Sequence, residues 1–161
     1  MIGQREQAAK LQRPFSGSNG PAKALEKACP ALDVVVMFTD VPGTLRALKA
    51  AAELAHNLNG RIRLLAAQVV PYPLPLESPQ VSKEFNERRF QTIASHSCIE
   101  TRVEVYVCRD REDAFCQALQ AEALVVIGVH RSWRPTREKA LARKLRKKGH
   151  QVILVDPERG K

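Results

Sequence analysis

The segment 123–156, ALVVIGVHRSWRPTREKALARKLRKKGHQVILVD, decides the fold class. Its opening ALVVIGV (123–129) is a short β-branched run of the kind buried on both faces of a sheet, and QVILV (151–155) is a second. Between them Pro135 suits a first helical position, Leu141 and Leu145 stand one turn apart, and Gly149 suits a C-terminal stop. Two doubly buried strands joined through a helix make a parallel crossover. The same segment holds nine Lys or Arg and one Glu within residues 131–148, beside the point where such folds keep their ligands.

The same grammar repeats toward the N-terminus. DVVVMFT (33–39) reads as a strand, broken by Pro42, Gly43 and Thr44 before LRALKAAAELAHNL, in which Leu45, Leu48, Ala52 and Ala55 share a helical face and Asn59-Gly60 ends it. RIRLLAAQVV (61–70) is the next strand, and PYPLPLESP (71–79) is a loop that can join no ladder. A helix over Ser82 to Ser95, a strand TRVEVYV (101–107) and a helix DREDAFCQALQAE (110–122) follow, the last with acidic residues crowding its first turn. The order βαβαβαβαβ predicts an α/β domain over residues 31–157: a doubly wound, five-stranded parallel sheet with helices on both faces. Residues 1–30 read as a flexible or partly helical tail with Ser16 to Pro21 as linker, and residues 158–161 as a short tail.

Composition narrows the function classes. A chain of 161 residues fits one domain, and with 44% hydrophobic but only 5% aromatic residues its core must be built from Val, Leu, Ile and Ala, which argues against an all-β sandwich. No apolar run reaches 18 residues and the first 21 contain no signal-like segment, so the expectation is a cytoplasmic protein without membrane contact. Cys29, Cys98, Cys108 and Cys116 form no CxxC pair and have no His at ligand spacing, so neither a metal site nor a disulfide framework is expected. The net charge of +9 is largely the 131–148 segment.

In doubly wound sheets ligands sit outside the carboxyl ends of the strands, where the winding reverses. The residues that fall there are Asp40, Val69 to Pro71, Arg109-Asp110 and Gly128 to Arg131. His130 and Arg131 are the most chemically able of them, since a His titrates near neutrality and an Arg can take a phosphate bidentately. Asp110 is placed to cap the helix after it. No Ser/His/Asp or Cys/His spacing supplies an oriented partner, so no catalytic residue is assigned and an enzyme is not expected. Trp133, the lone tryptophan, is expected to pack over its loop.

Over about residues 32–156 the sequence resembles the universal stress protein family. The features that carry the resemblance are VVVMFTDVPGT, LLAAQVVP, VEVYVCRDREDAF, ALVVIGVHRS and the closing KLRKKGHQVILV, in the family's order and spacing. The resemblance implies a Rossmann-like fold of the adenine nucleotide alpha hydrolase-like type with strand order 3-2-1-4-5, a stress or signalling role, and frequent dimerisation, often through the last strand. It also implies candidate nucleotide contacts: Asp40 beside adenine and ribose, Val69 or Val70 lining adenine, and Gly128 at the phosphates. The family's ATP-binding members carry G-x2-G-x9-G-[ST], whose glycines let backbone amides approach phosphate. Here only Gly128 matches; Arg131 replaces the second glycine, Glu138-Lys139 fall at the Gly-Ser position, and SWRPTR is three residues shorter than the family's nine.

The leading expectation is therefore a non-catalytic protein of the universal stress type that acts by binding and association, forms a homodimer, and needs no cofactor, with ATP or AMP binding not favoured. One alternative is a nucleotide-binding module in which Arg131, Arg134 or Lys139 replaces amide contacts by charge. Another is an anionic-partner surface made of Arg134, Arg137, Arg143, Lys144, Lys147 and Lys148, since one Glu among nine cations is too few for pairing within the segment. An acidic protein face fits that surface better than nucleic acid, because no nucleic-acid-binding motif accompanies it. The plain reading of the same residues is a solvated face above Leu141 and Leu145.

Overall fold

The computed structural model describes residues 32–130 and 136–157. The N-terminal tail and its linker, Arg131, Trp133, Arg134, Pro135 and the tail at 158–161 lie outside the described residues. The elements in chain order are β1 (Asp33–Met37), α1 (Val41–Leu58), β2 (Arg61–Val69), α2 (Lys83–Ala94), β3 (Thr101–Cys108), α3 (Arg111–Ala118), β4 (Leu124–Gly128), α4 (Arg137–Lys147) and β5 (Gln151–Val155). All four pairings are parallel, and the sheet order is β3-β2-β1-β4-β5. This is the expected doubly wound architecture, with its switch point between β1 and β4.

Strand alternation divides the core into two layers. Val34 and Val36 of β1, Leu64 of β2 and Val126 of β4 face Ala47, Leu48 and Ala51 of α1 and Phe90 and Ile93 of α2. Val35, Met37, Leu65, Val125 and Ile127 point the other way, against Phe115 of α3 and Leu141, Ala142 and Leu145 of α4. Small alanines along α1 let that helix lie close to the central strands. Burial at both faces explains why β1 and β4 read as continuous apolar runs.

Three boundaries differ from the sequence reading. Residues Pro42, Gly43 and Thr44 do not break the chain ahead of a helix; they are the first turn of α1, because Asp40 caps it from extended backbone and Pro is tolerated where the helix has no partner for its N–H. The third helix stops at Ala118 rather than at 122, as Leu119 turns extended (φ −82°, ψ 138°) and Glu122 takes φ 56°. In α4 the N-cap is Thr136, whose hydroxyl accepts from the Lys139 N–H. Asp110 caps α3, accepting from the Asp113 N–H at 2.9 Å, and Gly149 has φ 91° just past α4, both as the sequence indicated.

Candidate functional site

The crevice at the switch point is built from the ends of β1 and β4 and the first turn of α1. Asp40 Oδ1 accepts the Gly43 N–H at 3.1 Å, and the Thr39 hydroxyl, with a single proton, stands 3.1 Å from the Gly128 carbonyl and 3.2 Å from the same Asp40 oxygen. Gly128 owes its identity to this packing. A Cβ there would lie 2.0 Å from the Gly43 carbonyl oxygen, so the end of β4 touches the backbone of α1 directly.

His130 completes the arrangement. Its Nε2 lies 2.7 Å from Asp40 Oδ2, while the carboxylate is 30% and the imidazole 60% exposed. Both oxygens of Asp40 are therefore engaged within the chain, one by the helix cap and one by the imidazole. On the far side of β4, Arg46 of α1 donates to the Val129 carbonyl at 3.2 Å, and Val129 donates to the Val155 carbonyl at 3.0 Å, tying the strand's exit to α1 and β5.

Two arginines lie on the other side of the crevice: Arg109, which the sequence placed among the strand-end residues, and Arg111, which it did not. Arg111, first residue of α3, donates to the Phe38 carbonyl at the end of β1, and its burial favours the neutral form, lowering its pKa. A cavity of about 270 Å³ beside it is lined by Thr39, Asp110, Arg111, Arg137, Glu138 and Leu141. Arg109 instead holds the proline-rich loop: its Nη1 donates to the carbonyls of Val70 (2.8 Å) and Pro71 (3.1 Å), and its guanidinium stacks 4.2 Å from the centre of the Tyr72 ring. The only sequence signal for Arg111 was its position directly after a helix cap at a strand end.

Of the candidate nucleotide contacts, Asp40, Gly128 and His130 come together, whereas Val69 ends β2 and is half exposed. Arg131 and Arg134 lie outside the described residues. On α4, Lys144 is not part of a free cationic face: its Nζ lies 3.3 Å from Glu112 and 3.4 Å from Asp113, both on α3, and the Glu112 hydrogen bond, opposed by slight desolvation, raises its pKa. The counter-charges come from the neighbouring helix, which a count within the segment could not reveal. Arg146 donates to the Val152 carbonyl at 2.7 Å and thus helps dock α4 on β5. Arg143, Lys147 and Lys148 remain as the outward cations of the candidate surface, with Arg137 at the cavity.

Among the described residues no group of three or more His, Cys, Asp or Glu is arranged to hold a metal ion, and no helix is long and apolar enough to cross a membrane.

No protein-family model matches the chain, and no curated protein sequence matches it. Solved structures do. The universal stress protein from Archaeoglobus fulgidus, in complex with dAMP, superposes with a TM-score of 0.50 at 16% identity, over 78% of this chain and 98% of that one. A universal stress protein in complex with cAMP gives a TM-score of 0.48 at 17% identity, over 81% of this chain and all of that one. The five-stranded sheet of order 3-2-1-4-5 with its flanking helices is thus the Rossmann-like fold of the universal stress proteins.

Proposed function

We propose that this chain is a non-catalytic domain of the universal stress type, acting by association in stress response or signalling, with its nucleotide position closed by its own side chains. The observation that carries the reading is the Asp40 carboxylate. In the resemblance this group faces adenine and ribose; here its two oxygens take the Gly43 N–H and the His130 imidazole. A ribose hydroxyl would have to displace a 2.7 Å contact between groups that also order the exit of β4. The missing glycines act in the same direction, since they remove the amide cradle that would repay that cost.

The protein of the first structural comparison was solved with dAMP, so a mononucleotide is the fair ligand with which to test the reading. The test is calorimetric titration of the full chain with ATP, ADP and AMP, next to His130→Ala. The wild type should give no saturable heat that Asp40→Ala removes, and removal of the imidazole should lead to measurable if weak binding. Saturable binding to the wild type that Asp40→Ala abolishes would overturn it.

A second reading has its own observation. The 270 Å³ cavity presents Arg111 and Arg137 beside the strand ends, so a phosphate could be held by guanidinium charge in place of amides. In that case AMP and inorganic phosphate would bind with similar affinity, and Arg137→Gln would weaken both. Homodimerisation belongs to the same proposal: among the described residues β5 is an edge strand, and its outer side would pair with that of a second copy. Its partner in that case is another copy of this chain, within the cytoplasm.

A further inference from the structure

The sheet face beneath α3 changes character halfway along its strands. Toward the carboxyl ends it is apolar, with Met37, Leu65 and Ile127 against Phe115. Toward the amino ends the same alternation brings up Asp33 on β1, Arg61 and Arg63 on β2, and Arg102 and Glu104 on β3. Helix α3 is only eight residues long, and a cavity of about 480 Å³ opens over this charged half, with Gln120 beyond the helix end and Glu100 just ahead of β3 on its wall. It lies at the opposite end of the sheet from the switch-point crevice.

The floor of this cavity is a fixed hydrogen-bonded network. Arg63 grips Glu104 bidentately, Nε to Oε1 at 3.0 Å and Nη2 to Oε2 at 2.8 Å, and the Tyr106 hydroxyl donates to Oε2 at 2.8 Å. Glu104 is only 3% exposed. Such a pair is a poor device for stability, because well-packed apolar residues of similar volume would do as well or better. Ladder register also sets Arg63 directly opposite Arg102, a like-charge pairing that repels. Only Glu104 stands between them, with Oε1 3.4 Å from Arg102 Nε, and its oxygens already serve Arg63 and Tyr106.

Donor capacity is left over. Arg102 is 59% exposed along its side chain, Arg61 is exposed, and each guanidinium carries five N–H groups in a planar fork. Asp33 comes no nearer than 3.9 Å to Arg63, beyond direct hydrogen-bond range. We propose that this cavity is a second binding site, for a small molecule bearing a carboxylate or phosphate, whose oxyanion is taken by Arg61 and Arg102 while its body rests on Tyr106 and Gln120. Preorganisation by Glu104 and Arg63 fixes the floor so that binding need not order it. The site is independent of whether the switch-point crevice takes a nucleotide.

The experiment is two-dimensional amide NMR of the full chain, titrated separately with succinate and with inorganic phosphate at constant ionic strength. Saturable shifts should centre on the amides of Ile62, Arg63, Arg102 and Val103, and the probe that saturates at lower concentration identifies the favoured oxyanion. The double variant Arg61→Gln/Arg102→Gln should weaken binding by about tenfold or more, the value of a lost charge-assisted contact. Lys49→Gln/Arg88→Gln, which removes the same charge elsewhere on the surface, should leave it unchanged. Arg102→Lys keeps the charge and loses the fork, and should weaken binding with the spectrum of the folded chain intact. Absence of saturable shifts with both probes, or equal weakening by the two double variants, would overturn the proposal.

Discussion

Replacing Gly128 by Ala tests whether that glycine serves packing or a phosphate. The added Cβ would sit 2.0, 2.3 and 2.8 Å from the carbonyl oxygen, carbonyl carbon and Cα of Gly43. All three are backbone atoms, so no rotamer change relieves the overlap. An ordinary carbon–oxygen contact is about 3.3 Å, so the first turn of α1 must retreat from β4 by roughly 1.3 Å. Overpacking of this kind costs about 1–3 kcal/mol, and the retreat also stretches the Thr39 hydroxyl contact to Gly128 and the approach of His130 to Asp40, each worth about 1 kcal/mol. The expected loss is about 3–5 kcal/mol, or roughly 10–20 °C in Tm for a domain of this size. Urea unfolding followed by far-UV circular dichroism reads it as a fall in midpoint at unchanged slope. A loss below about 1 kcal/mol would refute the close approach of α1 and β4, and with it the packing account of Gly128.

Other consequences follow from the buried network and the basic helix. Burial raises the Glu104 carboxyl, but the hydrogen bonds from Arg63 and Tyr106 outweigh it and hold the group below its ordinary 4.5, so its stabilising effect is complete above pH 4.5 and is lost as pH falls through the folded value; Glu104→Gln should flatten that acid limb in pH-dependent urea titrations. Burial first, and then the bond to Glu104, push the Tyr106 hydroxyl up to about 12 from 10, so stability should be full below pH 10 and decline between pH 10 and 12, a decline that Tyr106→Phe removes. Charge reversal at Arg143, Lys147 and Lys148 should leave Tm nearly unchanged, because Leu141, Ala142 and Leu145 hold α4 down. If an anionic macromolecule binds there, the same variant should flatten the log–log dependence of affinity on salt; a retardation assay with a labelled duplex should show no complex even for the wild type at low salt.

The parallel sheet was legible because β1, β4 and β5 are apolar runs separated by helical periods, and the helix caps at Ser82 and Asp110 are local signals; the strand order came from the family resemblance and not from the pattern. The start of α1 was not, because Pro42-Gly43 is a turn signal in isolation and a tolerable first helical turn once Asp40 caps it. At the site, Asp40 and Gly128 could be placed together by topology alone. Their engagement with His130 and Gly43 could not, since it depends on side-chain reach. The Arg63–Glu104–Tyr106 network was written in RIRLLAAQVV and TRVEVYV as polar residues at period two, but which cation meets which carboxylate depends on the β2–β3 register. Lys144 makes the same point between helices: its partners, Glu112 and Asp113, are about thirty residues away in the chain.

The central claim is that the chain's own side chains occupy the position where the fold would take a nucleotide. Calorimetric titration of the full chain with ATP and AMP, in parallel with His130→Ala, tests it most directly. The account predicts no Asp40-dependent saturable heat for the wild type and a detectable, weaker-than-micromolar isotherm once the imidazole no longer holds Asp40. Micromolar binding of either nucleotide to the wild type, abolished by Asp40→Ala, would contradict it.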